Sequence, residues 1–462
     1  MPLELKDWQK EAIDAWKSRH YKGMVEAVTG SGKSYLALGA IEHLWPQHKP
    51  LNTLIVVPTT ALLKQWFDKL QEAFPGRPVA RLGGGHNQTF ANGPTCIAVI
   101  NSAAAKLESL FGHCRRGLVK SFLIADECHR YVNGPFFSRI RQHEYNFVMG
   151  LSATIDDYDI PGFGKICYSY TFGRALKDDL VPPFSLMNVQ VNLTPGEWEQ
   201  YERLSKQVST KLLQIREIYG PELPSPNDRR FWIRLRQLLA ADPSPKTSPI
   251  TQLFGLLFKR ASILYTAENK MALAKVLIDL LIQKGRRKVI VYFERMQSAD
   301  EVQEDLEFET AKLLQAQLKR DLPYFCEVLH SGHSQRDRDD TLRKFRQASP
   351  AVLLACRVLD EGIDIRDLDS AVLVASTQKR RQRIQRIGRV LRKVEGAPNP
   401  VVITLYVPLT GDERVVENDG EVFGDIARIS YVPEGRAIQE LHELLTQDEP
   451  NHAVLKAFKG PK

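Results

Sequence analysis

Short apolar runs alternate with helix-like stretches over about the first 190 residues of the chain. Five of these runs are nearly continuous, which is typical of strands buried on both faces of a parallel sheet. They occupy 24–28, 53–57, 96–100, 121–125 and 146–151. Helix-like patterns lie before the first run at 7–19 and between later runs at 33–45, 60–74 and 102–111. The alternation predicts an α/β domain in which helices connect the strands.

The same alternation returns near residue 288 and predicts a second α/β domain. Its apolar runs are 288–293, 325–330, 351–356, 370–375 and 400–405. Between the two parts, 195–270 carries seven prolines and two helix-like pieces, which is typical of a helical insertion. We therefore predict two tandem α/β domains, each a parallel sheet flanked by helices. The expected divisions are 1–190, 191–270 for the insertion, 271–411 for the second domain and 412–462 for a C-terminal extension.

Composition adds limits to this picture. A chain of 462 residues is too long for one core, and no apolar stretch approaches the roughly 18 residues of a membrane span. The charged N-terminus predicts no secretion signal. Six scattered cysteines without a CxxC pair favour a reducing, cytoplasmic setting over a disulfide framework or zinc finger. The net charge of +8 favours a polyanionic partner, although an ordinary soluble surface would explain it equally well.

Residues 27–34, AVTGSGKS, follow an apolar run and open a helix-like segment. This is the context of a phosphate-binding loop, because backbone N–H groups and a helix N-terminus can face the phosphates. Lys33 would reach the β- and γ-phosphates, and the Ser34 hydroxyl would hold Mg²⁺. Ala27 stands where the pattern usually has glycine. The predicted nucleotide contacts are Thr29, Gly30, Ser31, Gly32, Lys33 and Ser34.

An apolar strand that ends in Asp126 and Glu127 would supply the second half of this site. Asp126 would bind Mg²⁺ mostly through water, since this ion keeps several of its waters. Glu127 would activate the attacking water as a general base. The alternative is an acidic helix cap before His129 and Arg130, which the upstream phosphate-binding loop makes less attractive.

The arginine segment, 382–392 (QRIQRIGRVLR), is dense in cations. On a helix, Gln385, Arg389 and Arg392 share a face. An arginine placed against a γ-phosphate neutralises charge in the transition state. The alternative is a solvated basic face or a nucleic-acid patch. Gly388 argues against an idle surface helix, because glycine there costs up to about 1 kcal/mol relative to alanine.

These segments together resemble the superfamily 2 helicases. The resemblance extends over about residues 3–410, with the motifs in the family's order. The similar segments are LKDWQKEAI (5–13), AVTGSGKS (27–34), VVPTTALLKQW (56–66), DECH (126–129), SAT (152–154), HSG (330–332), LDEGIDI (359–365) and QRIGRVLR (385–392). The resemblance implies two RecA-like domains that hydrolyse ATP with Mg²⁺ in the cleft between them. It departs at Arg366, where the family often has proline.

The resemblance also implies roles for single residues. Gln9 would contact the adenine base, and Arg389 and Arg392 would be the arginine fingers. Further nucleotide contacts would come from Gly362, Asp364 and Gln385. The residues His129, Ser152 and Thr154 would couple the nucleotide site to the second domain. Alternatively, Ser152 and Thr154 merely satisfy a strand end.

Nucleic acid would lie across both domains, on the face away from ATP. The candidate contacts are Pro58, Thr59, Gln65, Gly84, Ser102, His330, Ser331 and Gly332. Backbone amides and hydroxyls bind phosphate without a sequence code, so binding should be largely independent of sequence. Four aromatic residues of the insertion can either stack on bases or form its own small core. They are Trp198, Tyr201, Phe231 and Trp232.

The tract 172–205 resembles a branch with eukaryotic repair and transcription helicases and phage recombination helicases. This resemblance favours DNA over RNA and implies an ATP-dependent helicase that moves 3′ to 5′. A translocase subunit of a repair, restriction or phage-defence complex remains the alternative, and it would bring protein partners. A small-molecule P-loop kinase would leave the arginine segment and the second α/β domain unexplained. No membrane partner is expected.

Overall fold

The fold is described from a computed structural model. It describes residues 3–111, 119–131, 135–155, 159–220, 223–226, 228–242, 244, 247–293, 301–321, 324–330, 332–356, 365, 367–375, 380–391, 396–417, 419–424 and 426–446. Within these ranges the chain forms two sheets, of nine and seven strands, and a separate group of three helices. No helix in the described ranges is long and apolar enough to cross a lipid bilayer.

The first sheet carries the segments for which the sequence predicts nucleotide binding. Its strands are β1 (Lys22–Ala27), β2 (Leu51–Val57), β3 (Val79–Gly83), β4 (His86–Asn87), β5 (Thr95–Val99), β6 (Lys120–Asp126), β7 (Phe147–Ser152), β8 (Asp159–Ile160) and β9 (Gly164–Tyr170). They lie in the order β4-β3-β5-β2-β6-β7-β1-β9-β8, and only β3–β4 and β8–β9 pair antiparallel. The central strands are almost entirely buried, which is why they are continuous apolar runs in the sequence.

Six helices flank this sheet. They are α1 (Asp7–Ser18), α2 (Lys33–Gln47), α3 (Thr60–Ala73), α4 (Ile100–Phe111), α5 (Pro135–Gln142) and α6 (Phe172–Lys177). Helix α2 follows β1 directly, so the phosphate-binding loop lies between a buried strand and a helix N-terminus, as the sequence predicts. Strands β1 and β6 run parallel to the β7 strand between them. Their carboxyl ends therefore meet at one edge of the sheet, which is where open α/β sheets bind ligands.

The insertion folds as three helices, α7 (Pro195–Tyr219), α8 (Arg229–Ala240) and α9 (Pro249–Thr266). Thr194 and Glu197 cap the start of α7 by hydrogen bonding to each other's backbone N–H. The helices enclose a small core in which Phe231 is fully buried, so this ring is not available for stacking on bases. Trp198 and Tyr201 stack on each other with ring centroids 5.9 Å apart.

The second sheet is entirely parallel in its described pairings. Its strands are β10 (Phe184–Gln190), β11 (Lys288–Phe293), β12 (Phe325–His330), β13 (Ala351–Cys356), β14 (Ser370–Ala375), β15 (Val401–Tyr406) and β16 (Ala427–Pro433), in the order β12-β13-β11-β14-β15-β10-β16. The helices are α10 (Glu268–Gln283), α11 (Glu301–Asp321), α12 (Gln335–Gln347), α13 (Arg380–Val390), α14 (Asp419–Phe423) and α15 (Ala437–Thr446).

Strand β10 changes the domain boundary given above. It lies within 1–190, yet it pairs with β15 and β16 in the second sheet. The chain thus enters the second domain, adds one strand, leaves to build the insertion, and returns at α10. Strand β16 likewise lies within the predicted C-terminal extension but is the edge strand of this sheet. The sheet topology sets the boundary before Phe184, and it brings part of the extension into the second domain.

Candidate functional site

The phosphate-binding loop has the backbone conformation that its glycines permit. Gly30 and Gly32 have φ angles of 82° and 102°, in the left-handed region that residues with a Cβ rarely adopt. Gly32 precedes the first turn of α2. The Lys33 ammonium donates to the carbonyl of Ala27 at 2.8 Å, which holds it across the loop. The buried Ser31 hydroxyl donates to the Val28 carbonyl at 2.8 Å.

Gln9 braces the loop from the N-terminal helix. Its side chain is buried, its Nε2 donates to the Gly32 carbonyl at 3.0 Å, and its Oε1 accepts from the Lys6 amide at 2.9 Å. A Cβ at position 32 would lie only 2.8 Å from Gln9 Nε2. The structure therefore places Gln9 against the phosphate-binding loop, and its contact with adenine stays a prediction.

Asp126 and Glu127 stand at the end of β6, beside this loop. Both oxygens of Asp126 accept hydrogen bonds, Oδ2 from Trp66 Nε1 at 2.8 Å and Oδ1 from the Glu127 amide at 3.1 Å. Glu127 has a φ of 51°, and a residue with a side chain adopts this conformation only at a cost of about 1–3 kcal/mol. Such strain is concentrated at functional sites and turns of this kind.

The charges of both domains act on Glu127. Burial raises the pKa of Glu127 above its ordinary value, and the negative charge of Asp126 raises it further. Lys33 opposes this rise most strongly, and Arg130 and Arg389 oppose it less. Because Arg389 belongs to α13 of the second domain, cations of both domains hold down the pKa of Glu127.

The three predicted coupling residues are joined by hydrogen bonds, and Glu127 lies close to the first of them, His129. The Ser152 hydroxyl donates to the Thr154 carbonyl at 2.8 Å, and its oxygen lies 2.8 Å from His129 Nδ1. Since the single hydroxyl proton of Ser152 goes to Thr154, His129 Nδ1 is the donor in the second contact. Glu127 Oε2 lies 3.3 Å from the same Nδ1. These contacts place the predicted general base beside the hydrogen-bonded residues at the end of β7.

Helix α13 brings the arginine segment directly onto the phosphate-binding loop. A Cβ at Gly388 would lie 3.0 Å from Thr29 Cβ. Arg389 is next along the helix and half-buried, as is Gln385. Arg386 is 1% exposed and lies over the Tyr292 ring at 5.6 Å, so it belongs to the interior of the second domain. The predicted residues Arg392, Gly362 and Asp364 lie outside the described residues.

Part of the predicted nucleic-acid surface also comes together. A Cβ at Gly84 would lie 2.9 Å from Thr60 Cγ2, and one at Gly83 would lie 3.0 Å from the Ser102 hydroxyl. The Thr59 hydroxyl accepts from the Leu62 amide at 3.3 Å and caps α3. Pro58 and Gln65 are half-buried on either side of this cap.

In the second domain, the predicted nucleic-acid contacts lie at the end of β12. His330 is half-buried, and its Nδ1 accepts from the Gly332 amide at 3.0 Å. Gly332 is exposed. Ser331 lies outside the described residues. A binding role for this turn stays a prediction.

Two residues of the site are not among those that the sequence predicts. Trp66 donates to Asp126, and Lys69 donates to the Ser34 hydroxyl at 2.9 Å. They are three residues apart on α3, so they share a helix face that points at both predicted magnesium ligands. The available signal was this i, i+3 spacing within and just after the segment 56–66.

The residues present fit a nucleotide with its magnesium ion. Three buried side-chain oxygens around the cleft have no hydrogen-bond partner within the described part of the chain. They are Thr29 Oγ1, Glu127 Oε2 and Thr154 Oγ1. Buried polar atoms are rarely left without partners, so these three oxygens are expected to form hydrogen bonds with a bound ligand or with ordered water. Ser34 and Asp126 supply the hydroxyl and carboxylate oxygens that Mg²⁺ prefers.

Comparison with known proteins gives two family matches. Residues 2–157 match the model of the type III restriction enzyme res subunit, and residues 272–394 match the helicase conserved C-terminal domain. The chain is 26% identical over 419 residues to the DNA 3′-5′ translocase XPB2 of Sulfurisphaera tokodaii, which covers 89% of this chain and 84% of that protein.

A second archaeal relative and a solved structure agree with these matches. The Haloarcula marismortui protein named Rad25 is 24% identical over 412 residues, or 87% of this chain, but the chain spans only 52% of its length. Among solved structures, S. cerevisiae Dbp5 bound to RNA and ADP BeF3 matches with a TM-score of 0.57. That match has 15% identity and covers 96% of this chain and 93% of Dbp5, so it supports the tandem α/β fold.

Proposed function

We propose a function for this chain, which belongs to helicase superfamily 2, a group of ATP-hydrolysing enzymes. The proposed activity is ATP-driven movement along DNA in the 3′ to 5′ direction, with separation of the strands. The observation that carries it is the contact between Gly388 and Thr29, which puts the arginine-bearing helix of one domain on the phosphate-binding loop of the other.

The proposed chemistry divides between the two domains. Lys33 would transfer its hydrogen bond from the Ala27 carbonyl to the β- and γ-phosphates. Ser34 and Asp126 would hold Mg²⁺, which when bound neutralises phosphate charge. Glu127 would take a proton from the attacking water, and its raised pKa brings it nearer the working pH of a general base. Arg389 would approach from the second domain and stabilise the charge of the transition state.

Hydrolysis would be linked to motion because ATP contacts residues of both domains. A ligand can shift an equilibrium between open and closed forms only by its different affinity for the two. The γ-phosphate would supply this difference, since Arg389 reaches the site only when α13 lies on the loop. Release of phosphate would then weaken closure and permit one step along the strand. The contacts from Glu127 through His129 to Ser152 would report the state of the site to β7.

The preference for DNA is supported by the archaeal relative whose name specifies DNA and a 3′-5′ direction. The fold match to Dbp5 alone would leave RNA equally open. The relative that is named a translocase favours one further candidate, a motor that moves on duplex DNA without separating its strands. Both candidates predict that nucleic acid stimulates ATP hydrolysis.

The test is an ATPase assay with single-stranded DNA, duplex DNA, forked DNA and RNA side by side, with Lys33→Ala as the inactive control. A strand-release assay with one labelled strand accompanies it. A helicase releases that strand from a duplex with a 3′ tail but not from one with a 5′ tail. A translocase is stimulated by duplex DNA and releases no strand. If no polynucleotide raises the ATPase rate above the basal value, the proposed function is wrong.

A salt titration tests the proposed backbone contacts. Binding to several phosphates releases counterions, so the affinity for single-stranded DNA should fall by about 300-fold or more between 50 and 200 mM salt if six or more phosphates are held. Affinities that hardly change with salt would contradict a phosphate-binding surface on this chain.

A further inference from the structure

Helix α13 is tied to the C-terminal part of the chain by a buried arginine. Arg383 is 4% exposed, and its guanidinium donates twice to Asp419 of α14, from Nε to Oδ1 at 2.7 Å and from Nη2 to Oδ2 at 2.5 Å. Two parallel hydrogen bonds between planar groups fix the mutual orientation as well as the distance. This ion pair therefore sets the position of α13 relative to α14.

Two neighbouring strands complete this cluster. Arg383 Nη2 also donates to the Thr404 hydroxyl of β15 at 3.0 Å, and Asn188 Nδ2 of β10 donates to Asp419 Oδ2 at 3.0 Å. Both Thr404 and Asn188 are fully buried. We call Arg383, Asp419, Thr404 and Asn188 the helix clamp. Only Arg383 lies within the region 272–394 that matches the helicase C-terminal model.

The helix clamp and the nucleotide cleft lie on different faces of α13. Successive residues of an α-helix turn by about 100°, so Gly388 is about 140° around the axis from Arg383. Arg383 points into the second domain, while Gly388 meets Thr29 of the first. Fixing the inner face of the helix thus determines where the outer face, with Arg389, can stand.

Energetics favour a positioning role over a purely stabilising one. Replacement of a buried ion pair by apolar residues often leaves stability unchanged or higher, so such a pair is weak evidence for stability alone. Arg383 Nη1 has no hydrogen-bond partner within the described residues, which further reduces the net gain of burying this charge. The paired hydrogen bonds between Arg383 and Asp419 define the orientation of α13.

We propose that Asp419 is a positioning residue for ATP hydrolysis: through Arg383 it fixes the orientation of α13 and so directs Arg389 toward Glu127. The C-terminal segment around α14 is then part of the motor. This inference rests on the proposed function, because it assigns Arg389 to the transition state. A misplacement of about 1 Å at such a group can cost about a hundredfold in rate.

The test compares Asp419→Asn with a matched control, Asp412→Asn. Asp412 also forms a buried ion pair in the second domain, with Lys270 at 2.5 Å, but it joins α10 to the loop after β15. Both variants are assayed below their melting temperatures with saturating single-stranded DNA. We expect Asp419→Asn to lower kcat by about tenfold to a hundredfold with little change in KM for ATP. Asp412→Asn should retain the wild-type kcat.

A double variant decides whether Asp419 acts through Arg389. In the Arg389→Ala background, Asp419→Asn should cause no further loss of kcat, because the residue it positions is gone. Full multiplication of the two losses would overturn the proposal, as would an unchanged kcat in Asp419→Asn alone.

Hydrogen exchange separates this proposal from the proposed function. Backbone amides of 380–391 should exchange faster in Asp419→Asn than in the wild type, while those of 33–47 keep their protection. A wild-type chain without stimulated ATPase would refute the proposed function. In that event, unchanged exchange over 380–391 would also refute the claim that Asp419 holds α13 in place. Faster exchange would support that claim even though the proposed function had failed.

Discussion

Gly388 of α13 lies against Thr29 of the phosphate-binding loop, so close that a Cβ at 388 would be 3.0 Å from Thr29 Cβ and 3.2 Å from its hydroxyl. A methyl group at this position would crowd Thr29, so glycine permits the close approach of the two domains here. A glycine at this position is unfavourable for the helix itself, so a role outside the helix is expected from the sequence. The structure identifies the neighbour that makes it useful.

Replacing Gly388 by alanine should separate stability from activity. Alanine in a helix is favoured over glycine by up to about 1 kcal/mol, so the free energy of unfolding should stay level or rise. The added methyl group needs Thr29 to move by a few tenths of an ångström, so the arginine-bearing helix should approach less closely. We expect a loss of several-fold in kcat. Thermal unfolding and steady-state ATPase assays measure the two effects.

Gly255→Ala is the matched control for this substitution. Gly255 lies within α9, and an added Cβ there would meet no heavy atom of the described residues within 4 Å. It should gain the same helix stability and keep the basal turnover number. Equal turnover in the two alanine variants would show that the contact at Thr29 does not limit hydrolysis.

Lys33→Ala and Glu127→Gln should fail at different steps. Lys33 is expected to bind the β- and γ-phosphates, so its removal should weaken nucleotide binding and abolish turnover. Glutamine keeps the shape of Glu127 but cannot accept a proton from water, so binding should persist while hydrolysis stops. Titration with a fluorescent ATP analogue, beside the ATPase assay, distinguishes the two. Equal loss of binding in both variants would contradict these roles.

In a profile of kcat against pH, the fall of kcat on the acid side (the acid limb) should follow the protonation of Glu127. As the proposed general base, Glu127 must be ionised. Its raised pKa means that activity should fall at a higher pH than for an ordinary carboxylate as the solution is acidified. Arg389 holds this pKa down, so Arg389→Ala should move the limb to higher pH. The same substitution should lower the plateau kcat by about 10³-fold or more, as expected for an arginine finger. Profiles of kcat against pH for both proteins test this.

Arg389→Lys serves as the control for the charge. It retains a cation near Glu127 but lacks the planar, bidentate geometry of guanidinium. The acid limb should therefore stay near its wild-type position while the plateau remains low. A limb that shifts equally in both variants would mean that Arg389 does not act on Glu127 by its charge.

The sequence predicts well those features that repeat locally. Strand β11 occupies the predicted range 288–293, because a strand buried on both faces is a continuous apolar run. The order of the motifs likewise places Lys33 and Asp126 at one sheet edge. What it does not predict is the sheet that a strand joins. Strand β10 is apolar like its neighbours, and nothing in its pattern indicates pairing with β15.

Contacts between distant side chains also escape prediction from sequence. Trp66 and Asp126 are 60 residues apart, and Arg383 and Asp419 are 36 apart, so no helical or strand period relates them. A buried tryptophan is expected to be core, and an arginine in a basic stretch is expected at the surface. Only the folded arrangement shows that the indole N–H has an acidic partner and that Arg383 is buried.

Trp66→Phe should weaken the proposed magnesium site while it leaves the core filled. The substitution removes the indole N–H that donates to Asp126 Oδ2 at 2.8 Å and keeps an aromatic ring in the same place. A hydrogen bond to a charged group contributes about 1.5–3 kcal/mol, so the free energy of unfolding should fall by about that amount. Asp126 also loses the donor that orients it, and such losses commonly lower metal affinity by about tenfold.

The magnesium effect is measured as the Mg²⁺ concentration that gives half-maximal binding of an ATP analogue that cannot be hydrolysed. Trp16→Phe is the matched control, because the buried Trp16 donates at 2.7 Å to the Val148 carbonyl in the same domain. It should lose stability without a change in the Mg²⁺ requirement. If Trp66→Phe binds the analogue at the same Mg²⁺ concentration as Trp16→Phe, then Trp66 stabilises the fold and does not orient Asp126. A rise confined to Trp66→Phe would establish that α3 orients Asp126 for metal binding.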